Sequence, residues 1–130
     1  MSKREVARFG NFMEEAYGFA QAVRRNGVVH VAGQTAMGDD GSIAGPGDMA
    51  AQMRAAYLGI GRALEQVGAA FADVVDETLF VTDVMAAATV AAGVRREFYG
   101  AELAVASTLV EVRALGAPEL MIEIKCTALL

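Results

Sequence analysis

Cysteine, histidine, proline and tryptophan are scarce or missing: one Cys, one His, two Pro and no Trp in 130 residues. The lone cysteine, Cys126, excludes an intrachain disulfide and points to a reducing compartment. One His and one Cys cannot supply the ligand set of a zinc-type centre, so no metal is expected, and His30 stands without a companion. Positive charge is also short: 11 Lys and Arg against 16 Asp and Glu leave a net charge of −5. Such a chain has no electrostatic footprint for a polyanion, and nucleic acid is not an expected partner. No apolar run approaches the ~18 residues of a membrane span. No apolar segment follows Met1-Ser2-Lys3-Arg4-Glu5, as a secretory signal would require, so the expected location is the cytoplasm. The glycines spell neither G-x-G-x-x-G nor a P-loop.

What is present is core-forming material. Hydrophobic residues make up 55% of the chain and charged ones 21%, a balance that excludes disorder. A chain of this length buries roughly two-thirds of its unfolded surface. With no internal repeat or linker, residues 1–130 read as a single domain.

The clearest element is a helix. Met49, Met53, Tyr57, Ile60, Leu64 and Val67 recur at helical spacing, Asp48 is placed to cap the start, and Gly68 follows the last apolar residue. Gly59 and Gly61 each cost such a helix about 1 kcal/mol relative to Ala, so their presence predicts a close neighbour. A second helix is predicted over residues 86–99, with Ala87, Val90, Val94 and Phe98 as its stripe and Gly100 at its end. Strands are expected at 6–9, 19–24, 28–33, 75–82, 108–114 and 120–128. Arg25-Asn26-Gly27 reads as a hairpin turn, and 115–119 as a second turn. Residues 38–47, GDDGSIAGPG, read as a loop.

The resulting order, β-β-β-α-β-α-β-β, describes an α+β fold with one mixed sheet and two helices on one face. Two helices cover only one face, yet Val28-Val29 with Val31-Ala32, and Leu109-Val110 with Val112, are apolar on both sides. A strand with one wet face alternates more cleanly. The second face is therefore expected to pack on another subunit.

Few residues offer chemistry. On the last strand Leu120, Ile122, Ile124 and Cys126 share one face, and Met121, Glu123, Lys125 and Thr127 the other. Glu123 is either a rim charge paired with Lys125 or Arg113, or a desolvated carboxyl with a raised pKa that holds a water. Glu111, across a hairpin, could come near it as a second carboxylate. Tyr17 before Gly18 is either a pocket wall or a packing aromatic. Ser107 and Thr108 open a strand without an activating base, which argues against a nucleophilic triad. Asp39-Asp40-Gly41 reads as a turn, Cys126 as a buried thiol, and Arg95-Arg96 as the solvated face of the second helix.

Four ordered stretches carry a resemblance. They are 20–24 leading to Val31-Ala32-Gly33-Gln34; 47–52 opening the first helix; 73–75 leading to Phe80-Val81-Thr82-Asp83; and 107–112 followed by Met121-Ile122-Glu123-Ile124. Together they resemble the Rid family, also called YjgF-type or endoribonuclease L-PSP. The resemblance implies a chorismate-mutase-like fold and a homotrimer with clefts between subunits. It also implies binding of a small-molecule ligand, with cofactor-free deamination of reactive 2-imino acids in the family's deaminases.

Carried over by position, Glu123 would be the catalytic glutamate, and Tyr17 and Gly33 would line the ligand site. Where those deaminases read Pro-Ala-Arg, this chain reads Val105-Ala106-Ser107, so Ser107 takes the place of a carboxylate-binding arginine. Ala32 replaces a common serine. Exchanging a bidentate ionic contact for one neutral hydrogen bond costs about 3 kcal/mol. The expectation is poor action on standard 2-imino acids and a bulkier or uncharged ligand beside Ser107. Two alternatives stand beside an imine- or enamine-hydrolysing trimer. One is a non-catalytic ligand-binding or regulatory trimer; the other is an endoribonuclease or translation inhibitor.

Overall fold

The computed structural model describes residues 3–102 and 104–130. The strands are β1 (Glu5–Ala7), β2 (Ala22–Arg25), β3 (Val28–Gln34), β4 (Val74–Val81), β5 (Ala106–Glu111) and β6 (Ile122–Leu129). The helices are α1 (Phe12–Tyr17), α2 (Met49–Gln66) and α3 (Val84–Tyr99), with a single 3₁₀ turn at Phe71–Asp73 before β4. The six strands form one mixed sheet in the order β1-β2-β3-β6-β4-β5, in which only β4 and β5 run parallel.

Helix α2 forms as its pattern dictates. All six residues of the predicted stripe are buried, the Asp48 side chain accepts a hydrogen bond from the Ala51 N–H at 3.0 Å, and Gly68 takes a positive φ just past the end. The two interior glycines have the predicted neighbours. A Cβ on Gly59 would stand 2.7 Å from Gln34 Oε1, and one on Gly61 would stand 3.1 Å from the Phe71 ring. Helix α3 starts two residues earlier than its stripe indicates, because Asp83 caps it through the Ala86 N–H. The β2–β3 hairpin turns at Asn26 and Gly27, both at positive φ, as a two-residue Asn-Gly turn requires.

Three features differ from the sequence reading. The short helix α1 is additional. Asn11 caps it by accepting from the Glu14 N–H, and Gly18 ends it in the left-handed region, so no strand begins until Ala22. Strands β5 and β6 do not form a hairpin. β6 lies between β3 and β4, while β5 runs along the far side of β4. Burial explains this choice: β6 hides Ile122, Ile124, Cys126 and Ala128 under the helices and belongs at the centre, whereas β5 has no fully buried residue and suits an edge. Gln52, itself fully buried, fixes the connection between them. Its amide donates to the Glu119 carbonyl at 2.9 Å and accepts from the Met121 N–H at 2.8 Å.

Glu111 consequently stands two strands away from β6. It accepts from the Val84 N–H at the start of α3 and does not pair with Glu123. The third difference is Arg95, which folds inward onto Glu77 while Arg96 stays exposed.

The core lies between the sheet and the α2/α3 layer. Val29, Val31, Leu79, Val81, Ile122 and Ile124 point into it. Among the described residues no helix covers the opposite sheet face: His30, Lys125, Val110 and Leu129 are exposed there. Among the described residues no helix is long and apolar enough to cross a membrane.

Candidate functional site

A cavity of about 980 Å³ opens where β3 ends, bounded by α1, the 35–44 segment, α2 and β6. Its position follows from a bulge. Val31 pairs with Cys126 and Gln34 with Ile124, so β3 spends one more residue than β6 over this interval. The extra residue re-aims the chain. Gln34 turns under α2, while Gly33 faces Glu123. A Cβ on Gly33 would overlap the Glu123 carboxyl group. The absent side chain of Gly33 is the space that Glu123 occupies.

Glu123 is half-buried, and burial raises its carboxyl above the usual carboxylate range. Among the described residues it has no ion-pair partner. The four salt bridges are Arg24–Glu5, Arg54–Glu97, Arg62–Asp39 and Arg95–Glu77, so neither Lys125 nor Arg113 engages it. A desolvated carboxyl with no protein partner, facing a cavity, is a group that can hand a proton to a bound molecule or orient a water.

The rest of the wall is polar on one side and apolar on the other. Glu14 of α1 is buried and accepts from the N–H groups of Phe9 at 2.6 Å and Gly10 at 3.0 Å. It also accepts from the Gln21 amide at 2.8 Å, and Gln21 in turn accepts from Gln34 at 2.8 Å. Burial pushes the Glu14 carboxyl up, but these donors together with Arg8 outweigh it and hold the group below its ordinary value. Gln21 and Gln34 line the cavity, and Glu14 holds Gln21 from behind and joins α1 to the sheet. Tyr17, Phe12 and Leu58 form the apolar rim, with 76%, 58% and 65% of their surfaces exposed, so the cavity is open on that side.

Of the four residues singled out by sequence, Tyr17, Gly33 and Glu123 line this one cavity. Ser107 does not. It lies on β5 opposite Glu77, donates to Glu77 Oε2 at 2.6 Å and accepts from Arg95 Nη2 at 2.8 Å. Glu77 is fully buried and also accepts from the Tyr57 and Tyr99 hydroxyls at 2.8 Å and from Arg95 Nε at 2.9 Å. Burial, and then the neighbouring Glu77, push both tyrosine hydroxyls far above their ordinary pKa, so they remain donors.

Cys126 is a buried thiol pushed up to about 12 by burial and then by Glu77 and Asp76, which makes it unreactive. Residues Gly38 to Gly41 form a turn closed by the Gly41 N–H on the Gly38 carbonyl, with Ser42 donating to Asp40. Among the described residues no group of three His, Cys, Asp or Glu side chains is placed to hold a metal.

Residues 10–130 match the family described as Endoribonuclease L-PSP. The chain belongs to the YjgF/Rid (endoribonuclease L-PSP) family. Its fold superposes on Rv2704 of Mycobacterium tuberculosis, a member of the YjgF/YER057c/UK114 family, with a TM-score of 0.85 and 38% identity over 98% of this chain and 100% of that one. PA3499 of Pseudomonas aeruginosa, a protein of unknown function, gives 0.82 and 25% over 100% and 94%. The Rid protein YyfA of Yersinia pestis gives 0.85 and 24% over 98% and 100%, a likeness of fold. No functionally curated protein sequence gives a significant match.

Proposed function

We propose that this Rid-family chain binds a small metabolite in the Glu123 cavity and hydrolyses an imine, or its enamine tautomer, to a carbonyl compound and ammonia. The neighbouring subunits of a homotrimer would complete the site. The observation that carries the reading is Glu123: a half-buried carboxyl, held towards its neutral form by desolvation, without a partner among the described residues, seated where the absent Gly33 side chain makes room for it in the cavity wall.

The reaction needs one proton carrier and one water. The neutral Glu123 carboxyl protonates the imine nitrogen and makes its carbon electrophilic. The resulting carboxylate takes a proton from the adding water. It then returns that proton to nitrogen, which leaves as ammonia, while the carbinolamine hydroxyl gives its own proton to the Glu123 carboxylate, becomes the carbonyl and restores the neutral acid. No oxidant and no cofactor enters the balance: R₂C=NH and H₂O give R₂C=O and NH₃. Gly33 makes room for the Glu123 carboxyl in the cavity wall, and the Tyr17 side chain lies at the rim to orient the ligand. Ser107 would meet a ligand only from a neighbouring subunit, with its hydroxyl still engaged by Glu77 and Arg95.

The trimer is supported by exposed apolar surface in two places: Val110 and Leu129 on the open sheet face, and Phe12, Tyr17 and Leu58 around the cavity. Sedimentation equilibrium at micromolar concentration should give three times the chain mass; a monomer would remove the intersubunit cleft. The free, buried Cys126 agrees with a cytoplasmic setting.

The test of turnover is ammonia release from freshly generated imines, with and without a carboxylate, by wild type and Glu123→Gln. The variant should lose at least ~100-fold, the scale of general acid–base catalysis. Equal rates would remove Glu123 from the chemistry. A cavity that binds these compounds and releases no ammonia would identify a non-catalytic ligand-binding trimer instead. The net charge of −5 speaks against the ribonuclease activity in the family's description. RNA cleavage that survives purification and vanishes in Glu123→Gln would restore it.

A further inference from the structure

Arg62 of α2 is the one Lys or Arg side chain lining the cavity among the described residues. Its guanidinium carbon lies 3.9 Å from the centre of the Phe9 ring, which holds the group over that face. A single nitrogen, Nη1, reaches both oxygens of Asp39, at 3.2 and 3.0 Å. Nε and Nη2 donate to no acceptor among the described residues. Arg54 is different: its Nε and Nη2 are both taken by Glu97 in a closed fork. The bidentate edge of Arg62 is thus unused. Its hold on Asp39 joins two side chains that are each about half exposed, 48% and 47%, and such pairs contribute little and are readily exchanged.

We propose that Arg62 is the anion anchor of the cavity and that the ligand carries a carboxylate remote from its reacting carbon–nitrogen bond. A guanidinium fork with an open edge matches a planar carboxylate. The remoteness follows from the layout. Glu123 sits against Gly33, Gln34 is the next residue, Gly59 packs on Gln34, and Arg62 lies three residues further along α2, about 4.5 Å of helix rise. Leu58 and Met37 line the same cavity, so its wall suits an apolar chain or ring. This replaces the uncharged ligand expected from Ser107, because the cation is supplied from α2.

The proposal rests on the cavity being the ligand site but not on turnover, so binding is the readout. The probe is 4-phenylbutyrate, with 4-phenylbutyramide as its neutral isostere and inorganic phosphate as a third arm, each titrated by calorimetry and amide chemical shifts. Wild type should bind the carboxylate at least tenfold more tightly than the amide, with shifts at Gly33 and Gly59. Arg62→Gln should lose that preference. Asp39→Asn should strengthen carboxylate binding several-fold and leave the amide unchanged, a gain that a purely structural role for Arg62 would not produce. Equal affinity for acid and amide, no effect of either variant, preference for phosphate, or no carboxylate binding up to millimolar concentration would each overturn the proposal. In the first of these cases amide shifts at Gly33 would keep the cavity as the ligand site. Ammonia release by wild type against Glu123→Gln decides the hydrolytic reading separately.

Discussion

Two glutamates on neighbouring strands of one sheet meet opposite fates. Glu77 of β4 points under the helices and is fully buried, and Tyr57, Tyr99, Arg95 and Ser107 all donate to it. Glu123 of β6, which pairs with Phe80 three residues further along β4, points the other way and has no donor from the described residues. The first is saturated and has nothing left to offer a ligand. The second is unsatisfied, and chemistry needs an unsatisfied group. The contrast also relocates Ser107. A small hydroxyl at that position completes the Glu77 cluster and so belongs to the stability of the edge strand.

The comparison is most easily broken at the closed end. Removing Glu77 leaves Arg95 as a half-buried cation, and the buried Tyr57 and half-buried Tyr99 hydroxyls without that acceptor. Glu77→Ala should cost about 3–5 kcal/mol, the usual penalty for leaving half of a buried ion pair. Chemical denaturation should show it as a large fall in midpoint at unchanged slope. An effect below ~1 kcal/mol would mean that the cluster is not a structural anchor.

Glu14 should give the next largest effect, about 2 kcal/mol for charge-assisted bonds exchanged for neutral ones in Glu14→Gln. Its pH dependence has a definite sign. The folded-state pKa is lowered, so the stabilisation is present above the unfolded value and is lost as pH falls through the folded one. The gap between wild type and Glu14→Gln should therefore close in acid. A gap that is constant with pH would mean that the charge on Glu14 plays no part.

These two carboxylates also show what could and could not be read beforehand. Helix α2 was legible because one stripe of six apolar residues, a capping Asp48 and a terminal Gly68 all give the same answer. The three cavity residues Tyr17, Gly33 and Glu123 came together through the family likeness; spacing alone left each with a structural reading. The Glu77 cluster had no local signature, since its partners stand 18 to 30 residues away and Arg95 looked like half of a solvated pair.

Helix α1 was missed because six residues carry no periodicity, although Asn11, Glu14 and Gly18 were capping signals in plain view. The β5–β6 hairpin was wrong because closeness in sequence was allowed to outweigh burial. The alternation at Ile122, Ile124, Cys126 and Ala128 already marked a central strand. Arg62 lies on the polar side of α2, where nothing in one sequence separates a solvated arginine from one over an aromatic ring.

A smaller effect would sharpen the assignment of Ser107. Ser107→Ala removes one hydrogen bond to a buried carboxylate that keeps three other donors, so a loss of about 1 kcal/mol is expected. Ligand binding in the Glu123 cavity of the same subunit should not change. If Ser107→Ala left stability intact and weakened binding, the hydroxyl would have to serve a cleft formed with another subunit.

The smallest stability change should come at Glu123, and it should have the opposite sign to the others. A carboxyl whose folded-state pKa is raised favours the neutral form. Its contribution is intact below the unfolded pKa and is lost as pH rises through the folded one, where a desolvated group must ionise. Glu123→Gln keeps the shape and removes that burden, so its melting temperature should match wild type below the ordinary carboxylate pKa and exceed it by a few degrees once the pH is above the raised one. A variant that is more stable yet inactive is what a site held in an unfavourable state for function should give. A fall in stability at alkaline pH would mean that Glu123 is ionised and held by an unseen partner, and the contrast with Glu77 would collapse.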